Sequence, residues 1–142
     1  MHMFKENFLP GYGNMSSALG AEASDKIETA VFMNMKYYDL GVALAEVTNV
    51  ASGSVITLTI LEGTTSAGAS SATTSQTDTF TSTATTDTDV LQAQIRAEQL
   101  SANYTHFGAR LATNNASGTE VASVILIAGR ARYGSGTLPA NT

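Results

Sequence analysis

In the stretch SGSVITLTILEG, residues 52–63, side-chain character changes with every residue. Ile56, Leu58 and Ile60 fall on one side with Ser54 and Glu62; Val55, Thr57, Thr59 and Leu61 fall on the other. An extended chain places i, i+2 and i+4 on one face, whereas a helix scatters them. Ser-Gly and Glu-Gly bound the run as turn signals. The same period recurs along the chain. In ETAVFMNMKYYD, Val31, Met33, Met35 and Tyr37 alternate with Phe32, Asn34, Lys36 and Tyr38. The Asp-Leu-Gly that follows predicts a turn, and GVALAEVTN a strand opened by Gly41 and closed by Asn49. NYTHFGARLAT gives another strand, with Thr105, Phe107, Ala109 and Leu111 on one face. From Val121 to Ala128 the sequence is apolar on both faces, the pattern of a central strand covered on both sides.

Between these runs lies a Ser/Thr-rich stretch, TTSAGASSATTSQTDTFTSTATTDTD, residues 64–89. Composition argues against disorder for the chain as a whole: 43% of its 142 residues are hydrophobic, and disordered chains are poor in such residues. The stretch divides in two. Residues 63–75 have two glycines and no aromatic or branched apolar residue, and predict a loop tip or flexible excursion. Residues 76–86 alternate Thr77, Thr79, Thr81, Thr83 and Thr85 with Asp78, Phe80, Ser82, Ala84 and Thr86. Thr is β-branched and suits a strand, so this half predicts an edge strand anchored by Phe80, with disorder as the rival. DVLQAQIRAEQLS fits a helix capped by Asp89 or a strand with Leu91, Ala93, Ile95 and Ala97 inward. The cleaner alternation favours a strand over 90–96, then a turn.

About seven strands, spaced roughly 8–15 residues apart with turn signals between them, predict an all-β fold. The expected architecture is an antiparallel β-sandwich or jelly-roll-like barrel with an extended N-terminal arm. The arm spans 1–26, the sandwich 27–134 and a C-terminal coil 135–142. Phe4, Phe8, Leu9, Tyr12 and Met15 are more large apolar groups than a solvated tail carries. The arm packs across its own domain or on a neighbouring subunit, with a simple disordered tail as the remaining alternative.

Several functions are disfavoured. A net charge of −5 with thinly spread basic residues provides no nucleic-acid patch. No apolar run approaches the ~20 residues that span a bilayer, and the N-terminus lacks the continuous apolar segment of a signal peptide. There is no Cys and there are two His. His106, on the face opposite Phe107 and Leu111, reads as a half-exposed strand residue. Asp78, Asp87 and Asp89 lack the glycine-containing register of a calcium loop. No catalytic, cofactor-binding or metal-ligating residue is expected, no cofactor, and no enzyme activity. Arg130 and Arg132 share a strand face, with Tyr133 opposite. They either pair with the excess carboxylates or anchor a partner, since Arg and Tyr are enriched in binding hot spots.

The segment order AVFMNMKYYDLGVALAEV, SVITLTILEG, a Ser/Thr/Ala/Gly excursion, LQAQIRAEQLSANYTHFGARLAT and ASVILIAGRARYG resembles the head decoration, or cement, proteins of tailed bacteriophages. The resemblance covers most of residues 27–134. It implies a capsid-stabilising virion protein on the outer surface of the capsid, binding the major capsid protein as a homotrimer and clamping adjacent capsomers. It also implies an arm that reaches a neighbour, with Phe4, Phe8, Leu9, Tyr12, Met15, Arg130, Arg132 and Tyr133 at capsid or subunit interfaces. Two other readings remain: a tail or fibre module, and a carbohydrate-binding β-sandwich, although the chain lacks the Trp that glycan sites often present.

Overall fold

A computed structural model of the chain describes residues 8–18, 26–84, 86–115 and 120–131, with 8–18 and 131 given as backbone alone. These residues form nine strands: β1 (Phe8–Ala18), β2 (Lys26–Glu28), β3 (Met33–Asn34), β4 (Tyr38–Val50), β5 (Val55–Gly63), β6 (Ala72–Thr81), β7 (Asp87–Arg96), β8 (His106–Thr113) and β9 (Val121–Ala131). One sheet runs β1-β9-β4-β7; the other runs β2-β8-β5-β6, with β3 also paired to β8. Every pairing is antiparallel.

The pairing has a simple logic. β5 pairs with β6, β4 with β7, β2 and β3 with β8, and β1 with β9. That is one long hairpin, with its bend between β5 and β6. Rolling it up adds the contacts β9-β4 and β8-β5 and makes two packed sheets. This is a jelly roll.

Strand alternation sorts the core. Ile56, Leu58 and Ile60 of β5 and Phe107 and Leu111 of β8 are fully buried from the second sheet. The first sheet meets them with small groups, Ala43, Ala45, Ala122 and Ala128, and with larger ones, Val47, Leu91, Ile95, Val124 and Leu126. Mixing large and small side chains lets the two sheets interdigitate.

The structure corrects several expectations. The single strand expected around 31–38 is interrupted: β2 and β3 flank a kink, residues 36–37 turn, and Tyr38 opens β4. Asp-Leu-Gly is no turn, because Asp39 to Gly41 lie inside β4. Gly41 is there because Phe107 is: a Cβ at Gly41 would sit 2.8 Å from the Phe107 ring. Glycine in a strand marks such a close approach. Gly41→Ala is therefore expected to destabilise by about 1–3 kcal/mol, read from a shifted urea midpoint at unchanged slope.

The second half of the Ser/Thr stretch is a strand, β6, but it begins at Ala72, so the loop shrinks to 64–71. That loop is a built structure, not an excursion. Thr64 N–H donates to Ala69 O (3.1 Å), Gly68 N–H to Thr65 O (3.0 Å), and Phe32 N–H to Ser66 O (2.8 Å). Beneath it Phe32 is 3% exposed. Its ring is walled by Gly63, Gly68 and Gly108, where added Cβ atoms would lie 3.0, 2.5 and 2.7 Å away. Gly108 and His106 both alternate onto the outer face of the second sheet, so this small second core also covers that end of β8. His106 is buried, not half-exposed, between its strand partners Asn34 and Gly63, and its Nδ1 lies 2.8 Å from Thr105 Oγ1.

Residues 87–96 are strand rather than helix, followed by a 3-10 turn at Ala97–Gln99. Asp78 of β6 crosses to the other sheet, where its Oδ2 accepts the Gln92 amide of β7 at 2.9 Å. That bond closes the sandwich on the β6–β7 side.

Tyr38 is buried, and its hydroxyl has no hydrogen-bond partner. Burial raises its pKa from the ordinary 10.0. The unfolded chain then releases the phenol proton at lower pH than the folded one. Stability is thus lost as pH rises above the ordinary value, by about 1.4 kcal/mol per unit, until the folded group also titrates. Tyr38→Phe is expected to gain about 1 kcal/mol at neutral pH and to lose less stability than the parent between about pH 9 and about pH 11, measured by urea melts.

Candidate interaction surface

In β4 the alternation runs opposite to what bulk alone would suggest. Gly41, Ala43 and Ala45 point inward and are buried, while the larger Leu40, Val42 and Leu44 point outward and are half-buried. In β9, Ala122, Val124, Leu126 and Ala128 point inward; Val121, Ser123, Ile125 and Ile127 point outward. The register sets Val42 beside Ile127 and Leu44 beside Ile125. Val90 of β7 lies opposite Glu46 on the same face. The outer face of the first sheet therefore carries an apolar row, Val42, Leu44, Ile125 and Ile127, bordered by Glu46, Ser123, Gln92 and Gln94. Its exposed members are Val90 at 61%, Ile125 at 51% and Val121 at 44%. The expectation that β9 is covered on both sides is corrected: β9 is central within its sheet, but one of its faces is open.

The outer face of the second sheet has the other chemistry. Thr73, Ser75, Thr77, Thr79 and Thr81 of β6 are exposed, and Thr57 and Thr59 of β5 pair with Thr79 and Thr77. Cross-strand hydroxyls suit water as well as one another. The molecule thus has one sticky face and one wet face.

At the Leu40 end of the apolar face, polar groups converge. Arg96 stands opposite Leu40 across the β4–β7 ladder, and Gly129 stands opposite it on β9. Arg130 follows, exposed, with φ +56°. A cleft of about 260 Å³ lies here, lined by Leu40, Gln76, Gln94, Arg96, Gln99 and Arg130. Asp39 and Glu98 join the two arginines in an adjoining depression of about 130 Å³.

The residues expected at interfaces divide three ways. Phe8, Leu9 and Tyr12 stand in edge strand β1 opposite Gly129, Ala128 and Ile125. Met15 falls in the irregularity between Gly13 and Ser17. The segment 8–18 thus pairs within its own chain, and Pro10 is tolerated because β1 is an edge. Arg130 lies at the cleft. Phe4, Arg132 and Tyr133 lie outside the described residues. Sequence reasoning missed Val42, Leu44, Val90, Ile125 and Arg96; the bulky-outward alternation of GVALAEV was the available signal. The acidic residues considered for calcium are engaged locally: Asp78 accepts the Thr79 amide at 2.9 Å, Asp87 that of Thr88 at 3.1 Å and Asp89 that of Val90 at 2.8 Å. Among the described residues, no three His, Cys, Asp or Glu side chains gather as a metal site.

The strand order and this surface define an all-β jelly-roll domain with one apolar outer face. No protein-family model matches the chain, and no curated protein matches it significantly. Solved structures do share the fold. The PBSX exported protein XepA superposes with a TM-score of 0.51 at 12% identity, over 94% of this chain and 41% of that one. A chain of infectious bursal disease virus, Gx strain, gives 0.50 at 14% identity, over 89% of this chain and 34% of that one. A carbohydrate-binding module from glycoside hydrolase family 9 (Cel9A) of Ruminococcus flavefaciens FD-1 gives 0.50 at 10% identity, over 87% of this chain and 98% of that one. At these identities the likeness is one of fold.

Proposed function

We propose that this chain is a structural virion protein that binds the outer surface of a phage capsid through the outer face of its first sheet. It stabilises the shell by clamping adjacent capsomers as a homotrimer. The observation that carries this reading is the outward placement of Val42, Leu44, Val90, Ile125 and Val121 on one sheet face, with Val90, Ile125 and Val121 exposed. Exposed large apolar groups gathered on one face mark an interaction site. The sequence resemblance to decoration proteins supports the choice of partner. So does a fold shared with the PBSX exported protein XepA and a chain of infectious bursal disease virus. Three rigidly joined copies of one modest interface hold far more tightly than one copy.

The test is sedimentation of purified protein with phage heads lacking it, followed by heat challenge of the loaded and bare heads. Saturable binding at a stoichiometry in the hundreds per head and a raised disruption temperature are the expected results. A few copies per particle, confined to tails, would replace this reading with a tail or fibre module.

A further inference from the structure

The cleft at the Leu40 end differs in chemistry from the apolar row beside it. Three of its six lining residues are glutamines and two are arginines; Leu40 is the apolar member. Planar amide and guanidinium groups bond pairs of neighbouring oxygens, and guanidinium forks a carboxylate bidentately. We propose that this cleft binds an acidic saccharide: one uronic-acid-like residue with its carboxylate between Arg96 and Arg130 and its hydroxyls on the glutamines.

Four observations carry the assignment. The cleft's own lining includes both arginines and no carboxylate; the adjoining smaller depression shares those two arginines with Asp39 and Glu98, so the surroundings are charge-balanced and a ligand carboxylate exchanges with these acids for the guanidinium groups. Gln99 is held in place, because its Oε1 accepts the Arg96 amide at 2.8 Å. Its side-chain NH₂ is then left as a donor beside the arginines. The Arg96–Glu98 pair is long, at 3.6 Å, with both side chains more than half exposed. Such a pair is weak and readily exchanged for a ligand carboxylate. Finally, Arg130 holds a left-handed φ of +56° within β9. That conformation is costly for a non-glycine residue and tends to persist where a side chain is aimed for a purpose. The other described strand arginine, Arg110, is by contrast committed to Glu28, with Nη2 at 2.7 Å and Nε at 2.8 Å.

The cleft adjoins the proposed docking face, since Gln94 stands opposite Val42, and variants separate the two kinds of binding. The full chain is titrated with tetragalacturonate, with neutral maltotetraose, and with short polyglutamate, followed by calorimetry and by the side-chain NH signals of arginine and glutamine. Tetragalacturonate is expected to bind at least ten times more tightly than either of the others, and more weakly as salt rises. Arg96→Gln and Arg130→Gln should each weaken it about tenfold or more, which is the loss of one charge-assisted pair. Gln94→Leu, a surface change that leaves both charges in place, should also weaken it and serves if an arginine variant folds poorly. Ile125→Glu should leave saccharide binding unchanged whatever it does to head binding. Equal binding of polyglutamate would replace the saccharide with an acidic protein segment and overturn the proposal. So would tetragalacturonate binding that is absent or indifferent to all three cleft variants.

Discussion

Replacing Phe32 by alanine is expected to lower the unfolding free energy by about 3–5 kcal/mol, the usual cost of emptying a buried aromatic site. The ring fills a small second core between β8, the end of β5 and the 64–71 loop, on the face where Leu61 is also buried. Three of the walls nearest the ring are glycine and carry no side chain to swing into the void. A second variant makes the expectation sharper. Gly108→Ala places a methyl 2.7 Å from the ring and is destabilising alone. In the double variant the methyl enters the space the ring has left. The pair should therefore be more stable than the sum of the single effects predicts, by roughly 0.5–3 kcal/mol. Urea melts of the four proteins complete the cycle. Strict additivity would mean that the ring does not sit where it is described.

The second large effect concerns the apolar face. Ile125→Glu changes a residue that is 51% exposed, so folding should shift by no more than about 0.5 kcal/mol. Binding to heads should weaken about 100-fold, because a charge is forced into the apolar row that docking would desolvate. Avidity multiplies that loss across a trimer. Thr77→Glu, on the wet face, is the matched control and should bind as the parent does. If both variants load heads equally well, the first sheet's outer face is not the docking surface.

How much of this was legible beforehand depends on what each residue touches. β5 and β7 were readable because one of their faces meets the core and the other meets water, so polarity reports direction. β9 was misread for an instructive reason. An apolar strand face looks the same in sequence whether its own chain or another molecule covers it, so Val121 and Ile125 were assigned to a core they do not enter. Gly41 was read by local rules as a turn former, but its cause, Phe107, lies 66 positions further along the sequence. His106 is buried where β3 and the end of β5 flank it, with Asn34 and Gly63 as its strand partners, a placement no local alternation reveals. The cleft was invisible for the same reason: Gln76, Arg96 and Arg130 meet because β7 and β9 flank β4 while β6 closes against β7. The architecture followed from periodicity, which is local. The surfaces followed from pairing, which is not.

The position of β9 has a consequence for how the chain acquires its shape. It is the last described strand in sequence, yet it sits between β1, among the first residues, and β4. Until it emerges from the ribosome, β1 has no partner in its sheet, and β4 and β7 form a bare two-stranded ribbon. A two-stranded ribbon is marginal by itself in water. Pairings this distant in sequence are also slow to form. The domain should therefore stay open through nearly all of its synthesis and close in one late step, so that the apolar face is completed only when the sheet beneath it is whole.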